Sequence, residues 1–471
     1  MATLIEQQPL YTSTTGQVAV GADVIFAVSN NNIVATETKV KFIAEVHVSR
    51  GLPPDLNTSN NLVGTFKTTP NNAGIGIFDF SNIVENYVKA DNMAALGSEY
   101  KGTETDADNP HPIHLIDKFS LNMNSIRYLA IQFRIEYLGA TDCNGDQNDD
   151  IVREACGEEV NSTTFTLMNG YVKDTDILTK QGDDFGYDLE EFNLSEASDK
   201  FLSNAPATRY AAKEDYGTCA YLADSNSVSQ IHVKIYHTYA GGGTYTDQFI
   251  KTLANGAYNG WSSNTDKNLV YFGCYPANLR QSYQFNFYLS NDTMTHYEVY
   301  AVLNTGAHTT PFTVYIQCPD LKGYTPIRLA WLNQWGVWDY YTFNKKSVKS
   351  LSTKATTYNQ LAGTWNKSAY RLDSYKGGKK SFRVNATEKI KMNTDFVSED
   401  HNTMFEELMN SPEVYILDGF QTDAAYSALN QYVTPVRLVS KSFTTKTVAN
   451  DKLIQYTFEV EKTKTLRTQS V

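Results

Sequence analysis

Arg328-Leu-Ala-Trp-Leu-Asn-Gln-Trp-Gly-Val-Trp-Asp-Tyr-Tyr-Thr-Phe343 decides how this chain is read. Three of the five tryptophans, Trp331, Trp335 and Trp338, lie in it, with Tyr340, Tyr341 and Phe343 directly behind. Ile327, Leu329 and Trp331 alternate with Arg328 and Ala330, the two-residue period of a strand, and the run enters a turn at Gly336. New β patterns begin beyond the turn. The stretch reads as the first strand and corner of a C-terminal domain. Aromatic side chains bury large areas and keep a polar edge, so Trp331, Trp335, Trp338, Tyr340 and Tyr341 are expected at a domain junction or subunit interface. The competing reading of the cluster is a sugar-stacking platform.

Outward from this stretch, 471 residues suffice for roughly two to four domains. Tyr (31) and Phe (23) are abundant, and Asn, Thr and Ser separate the apolar runs, which favours strands over helices. A formal charge of −12 argues against nucleic acid as a partner, because phosphate binding needs a basic footprint. No apolar run reaches membrane-spanning length, and Met-Ala-Thr-Leu-Ile-Glu-Gln-Gln lacks the layout of a signal peptide. The chain is therefore expected to be made in a cytoplasm. Cys143, Cys156, Cys219, Cys274 and Cys318 are odd in number and widely spaced, which fits reduced thiols, with a Cys143–Cys156 bridge as the alternative.

The fold class expected is all-β with a few short helices. Residues 1–171 form a β-sandwich-like domain, 172–205 a polar linker, 206–326 a second, smaller sandwich-like domain, and 327–471 a β-rich domain with one helix. Strands are expected at Thr38–Ser49, at Leu62–Thr68 and around Leu129–Tyr137. A short helix over 78–88 starts at Asp79 or Ser81. In the second domain a hairpin spans 228–251, a strand covers 269–272, a helical turn 276–280, and strands lie at 285–289, 296–303 and 312–318. The order hairpin, strand, short helix, strand, strand thus occurs twice, as in an internal duplication. The third domain has strands near 339–350, 366–375, 381–393, 412–418, 434–447 and 453–461. Its helix has Ser398 as N-cap and Met404, Phe405, Leu408 and Met409 on one face.

Few residues carry chemistry. Asp142, Asn144, Asp146, Asn148 and Asp150 place oxygen ligands at alternate positions and form a candidate calcium loop. Gln147 stands where the sharp-turn Gly belongs and Arg153 where a bidentate Glu belongs, so the competing reading is a solvated hairpin tip. His111 and His114 lack further ligands, and His232 and His237 face opposite sides of a strand. Gly241-Gly-Gly243 lacks the Lys-Ser/Thr of a phosphate loop and reads as a hairpin turn. No catalytic constellation is found, and no cofactor beyond calcium is expected.

The Trp331–Phe343 pattern, WLN-x-x-G-x-x-D-Y-Y-x-F, resembles a signature of virion structural proteins of tailed bacteriophages, particularly phages of marine bacteria and Bacteroidetes. Phe201-Leu-Ser-Asn-Ala-Pro206, running on to Asp215-Tyr-Gly-Thr218, and Leu408-Met-Asn-Ser-Pro-Glu-Val-Tyr415 look like the same family. Trp335 departs from it, standing where members carry Gly or a small residue. The resemblance implies a non-enzymatic virion part of the tail, baseplate or an adaptor, bound to copies of itself and to other virion proteins in symmetric positions, with no membrane or nucleic-acid partner. A capsid or collar fibre or decoration protein is the alternative location. A carbohydrate-binding or degrading protein is the alternative function.

Overall fold

The computed structural model describes residues 3–9, 16–50, 53–90, 119–121, 124–141, 147–171, 192, 194, 197, 199–223, 228–238, 243–252, 268–280, 282–317, 323–364, 368–373, 375–418, 433–447 and 453–467. The fold is all-β with a few short helices. It divides into two compact units, Met1–Ile316 with Leu332–Asp339, and Gln317–Trp331 with Tyr340–Val471. The first takes in both stretches that the sequence reading treats as separate sandwich domains.

The N-terminal sandwich is built from β1 (Leu4–Gln7), β2 (Gln17–Ala19), β3 (Ile25–Ser29), β4 (Thr38–Ser49), β5 (Leu62–Thr68), β6 (Ile75–Asp79), β7 (Phe119–Leu121), β8 (Ile126–Thr141), β9 (Gln147–Glu154), β10 (Val160–Asn161) and β11 (Phe165–Met168). One sheet runs β2-β11-β8-β4-β5, with β9 and β10 also on β8, and the other runs β1-β3-β6. Their inner faces share one core. Phe26 of the small sheet lies 5.5 Å from Phe133 and 5.7 Å from Phe165 of the large one, within the range of favourable aromatic pairing. In β4 the row Phe42, Ala44 and Val46 is buried. So are Ile43 and His47 on the opposite face, and the strand is buried more fully than its alternation suggests. Asp79 accepts from the Ser81 N–H at 3.0 Å and fixes the start of the short helix Ser81–Val84.

The second sandwich repeats this topology with β12 (Thr208–Ala211), β13 (Thr218–Ala223), β14 (Val228–Thr238), β15 (Thr244–Thr252), β16 (Asn268–Gly273), β17 (Met294–Leu303) and β18 (Phe312–Ile316). Its large sheet runs β12-β18-β17-β14-β15. The first strand is parallel to the last in both large sheets, β2 to β11 and β12 to β18, and the other neighbours are antiparallel. The small sheets pair β3 with β6 and β13 with β16. Short helices precede β8 and β17 at the same point of the order. This is an immunoglobulin-type strand order, built twice. One strand crosses over: β7 lies between β6 and β8 in sequence, yet it pairs antiparallel with β16 of the second sandwich.

The other unit holds most of a sheet ordered β20-β19-β23-β24-β25-β22-β21. Its strands are β19 (Ile327–Leu332), β20 (Trp338–Phe343), β21 (Val348–Gln360), β22 (Gly378–Asn393), β23 (Val414–Leu417), β24 (Val433–Leu438) and β25 (Thr457–Lys462). The helix His401–Asn410 lays Phe405 against Tyr341 (5.1 Å), Phe458 (5.3 Å) and Tyr456 (5.4 Å) of the sheet.

Several expectations are corrected. Phe285–Leu289 is not a strand but lies inside the helix Tyr283–Ser290. The span 339–350 is broken by a turn, and a strand continues from 348 to 360 where none was expected. Residues 368–373 form no strand beyond an isolated bridge at Leu372, and β24 stops at Leu438. The C-terminal helix starts at His401 rather than after Ser398, whose hydroxyl bonds Asp400 and the His401 ring instead of a helix N–H. Met409, expected on the packed face with Met404, Phe405 and Leu408, is only half-buried. Cys219 and Cys274 are buried thiols outside any disulfide, as expected, but Cys156 is disulfide-bonded. Among the described residues, no helix is long and apolar enough to cross a membrane.

Candidate functional site

The signature stretch turns at Asn333–Val337, and the turn is held by one side chain. Asn333 Oδ1 accepts from the N–H groups of Trp335 (3.0 Å) and Val337 (3.2 Å). Its Nδ2 donates to the Leu202 carbonyl and to Asp339 Oδ2, both at 3.0 Å. Every hydrogen-bonding position of this buried amide is used, so its burial carries no unpaired polar cost. Gly336 closes the turn at φ +70°, and a Cβ there would stand 1.6 Å from the Asn169 carbonyl oxygen. Only glycine meets both demands.

Asp339 anchors a second, charged layer. Ser203 Oγ donates to Asp339 Oδ1 at 2.5 Å and accepts from Arg209 Nη2 at 3.1 Å and from the Ala205 N–H at 3.2 Å. Arg209 also donates to the Pro206 carbonyl at 3.2 Å and to Cys219 Sγ at 3.8 Å, with its guanidinium 4.3 Å over the Phe312 ring. Burial pushes the Asp339 carboxyl above its usual range, with Arg209 and the Ser203 and Asn333 bonds opposing. Burial alone would lower Arg209, yet the acidic groups around it, Cys219, Tyr275 and Asp339, hold it above its ordinary value. Burial works to raise the Cys219 thiol, but a bond with Cys274 and the charge of Arg209 bring it below its usual value. Thus half-buried Ser203 of the Phe201–Pro206 motif and buried Asp339 of the signature form one clamp. A cluster whose polar groups are paired with one another, with Asp339 and Asn333 buried and Ser203 and Arg209 half-buried, holds chain segments in place.

Trp335 is buried, its ring 4.5 Å from Phe192, and Trp338 is buried as well. In the other unit Trp331 is fully buried, Tyr340 lies 5.2 Å beneath the Arg328 guanidinium, and half-buried Tyr341 meets Phe405 edge-on. The third motif reaches the same strand by pairing, since Val414 and Tyr415 of β23 lie opposite Trp331 and Ala330 of β19.

The proposed calcium ligands Asp142, Asn144 and Asp146 lie outside the described residues, as do His111 and His114. Asn148 and Asp150 fall in strand β9. Among the described residues, no group of three or more His, Cys, Asp or Glu is placed to hold a metal. Gly241 and Gly242 lie outside the described residues; the strands on either side pair regularly, with Thr238 opposite Thr244. His232 and His237 separate as their spacing requires. His232 sits beside Gln230 and Gln248, and His237 is buried against Tyr288 at 3.9 Å.

One arrangement was not foreseen. On the outer face of the second sandwich's large sheet, Tyr210, Tyr315, His296 and Tyr236 form a row across β12, β18, β17 and β14, with centroid spacings of 5.8, 4.9 and 4.3 Å. A shorter row sets His308 5.0 Å from Tyr300, and Tyr300 5.4 Å from His232. Tyr236 donates to Glu298 at 2.8 Å under the Lys234 ammonium. The signal in sequence was the alternation of His296, Glu298 and Tyr300, which becomes a row only once the neighbouring strands are known.

No protein-family model and no curated protein matches the chain. Among solved structures, the crystal structure of MtrC from Shewanella baltica OS185 aligns over 69% of this chain and 72% of that one, at 10% identity and a TM-score of 0.13. A likeness of that degree carries no argument about fold or function.

Proposed function

We propose that this chain is a non-enzymatic structural subunit of a tailed-phage virion, a tail, baseplate or adaptor component made in the host cytoplasm and acting by protein–protein assembly. The observation that carries the reading is the ribbon β21–β22. Its strands pair through thirteen positions, yet β21 is exposed along almost its whole length and β22 over its first seven residues. Leu351 (60%), Phe382 (47%) and Val384 (42%) are exposed on it, and Leu361 and Leu372 beyond its strands. A two-stranded ribbon is marginally stable alone in water, and a run of exposed apolar side chains marks an interaction surface. The ribbon is therefore an arm awaiting a protein partner. The clamp supports the same reading, because the polar residues of the signature are consumed in holding chain segments together. The virion assignment itself rests on the motif resemblance.

Mass spectrometry of purified particles tests it. The chain should be present at a copy number that fits symmetric positions, and its absence from particles that contain the other virion proteins would remove the assignment. A second reading, carbohydrate binding, is favoured by the ring row on the outer sheet face, since stacked aromatic side chains suit sugar rings. Glycan binding lost in Tyr210→Ala and Tyr315→Ala would favour that reading. A sugar-hydrolysing activity abolished by one carboxylate substitution would replace both.

A further inference from the structure

The charge of the chain is divided unevenly. Residues 348–393 hold ten Lys and Arg against two acidic residues, Asp373 and Glu388. The rest of the sequence then holds 30 basic against 50 acidic residues, so the ribbon segment is net +8 and the remainder of the chain net −20. We infer that the ribbon β21–β22 of one copy docks on the acidic body of a second copy of this chain, an inference that rests on the assembly reading above.

The register shows how the arm is built. Residues directly opposite in a ribbon share a face, and successive residues alternate. One face carries Lys354, Lys389, Lys391 and Arg383. The other carries Leu351, Ala355, Val384 and Ala386, with Lys349 and Glu388 toward the base. At the base Glu461 draws on Lys389 at 3.9 Å, while Lys354 and Arg383 stand farther out and are exposed. Thirteen residues of strand reach roughly 40 Å, long enough to lie across a neighbouring domain.

An arm with one basic face and one face that is mainly apolar toward its tip fits a protein surface better than a phosphate backbone, which would leave Leu351, Val384, Leu361 and Leu372 in water. Charge complementarity to its own body then singles out another copy. The ribbon and the body are different surfaces, so the contact is heterologous and repeats around a ring or along a filament. Each contact is weak and salt-sensitive, and many add up only in a multi-copy array.

The test mixes unlabelled and ¹⁵N-labelled full-length chain and applies a zero-length carbodiimide cross-linker at low salt. Mixed-isotope cross-links from Lys349, Lys354, Lys379 or Lys380 to Asp and Glu outside 348–393 are expected, and should disappear in molar salt. Lys354→Glu with Lys380→Glu and Arg383→Glu should weaken self-association in sedimentation by about tenfold or more, while thermal melting is unchanged because these side chains are exposed. Cross-links confined to single-isotope pairs would overturn the inference. So would a chain that stays monomeric and binds duplex DNA through the same three positions. Mixed cross-links from a chain missing from virions would sink the virion assignment and leave the self-docking standing, whereas a virion chain without them would do the reverse.

Discussion

Ser203 donates its hydroxyl hydrogen to Asp339 at 2.5 Å, closing a contact between positions 136 residues apart. That bond joins the segment preceding β12 to the end of the signature turn, and Arg209 completes it from the other side of the hydroxyl. The pair makes the clamp measurable.

Asp339→Ala removes the carboxylate beside the half-buried Arg209 charge and leaves the Asn333 amide one acceptor short, and should cost about 2–3 kcal/mol. Ser203→Ala loses a half-buried hydroxyl bridge and should cost about 1 kcal/mol. Denaturant melts of the two single variants and the double variant should show strong coupling. Additive losses would mean that the two residues act separately.

Gly336→Ala should be more damaging than its one added methyl suggests. The new Cβ would collide with the Asn169 carbonyl and force φ out of the left-handed region, so the turn must open. Low soluble yield or a loss of about 2 kcal/mol or more is expected. A melt equal to that of the parent would show that the turn can relax.

Acidification should weaken the fold. Burial lowers the pKa values of His47, His232, His296 and His401, so these rings bind protons more readily in the unfolded chain. Their contribution is fully present above the ordinary histidine pKa of about 6.5 and is lost as pH falls from there through their lowered folded-state values. Thermal melts taken downward from neutral pH should show a decline. His401→Phe, which keeps a ring against Phe405, should shallow that decline, and an unchanged slope would remove His401 from the account.

Trypsin should cut the free chain first at Lys379 or Lys380, exposed residues at the start of β22. The nicked chain should stay together under native conditions, since β22 continues into pairing with β25. Earlier cleavage within the second sandwich would show that the ribbon is less accessible than its exposure indicates.

The bounds Thr38–Ser49 and Leu62–Thr68 were legible to the residue, because alternating side chains report a strand even where, as in β4, the second face is buried too. Alternation failed at Phe285–Leu289, where Phe285, Phe287 and Leu289 also alternate. Phe285 and Leu289 are four apart and buried together, while Phe287 is exposed, and Ser282 accepts from the Phe285 N–H to start a helix. An aromatic run with that spacing satisfies both periods. The ribbon escaped notice for the opposite reason: with nearly all of β21 exposed, no apolar period marks it. The motifs around Ser203 and Asp339 were visible, but their bond was not, since no local pattern links residues so far apart in sequence.

The borrowed strand β7 has a consequence during synthesis. Every other strand of the first sandwich has been translated by Met168, but β7 must wait for Asn268–Gly273 of β16. At roughly 5–20 residues per second that delay lasts about 7–30 s, during which a nascent chain on the ribosome carries a strand without its mate. Until β16 emerges, chaperones and neighbouring nascent chains have access to a sheet edge that the finished protein keeps for itself.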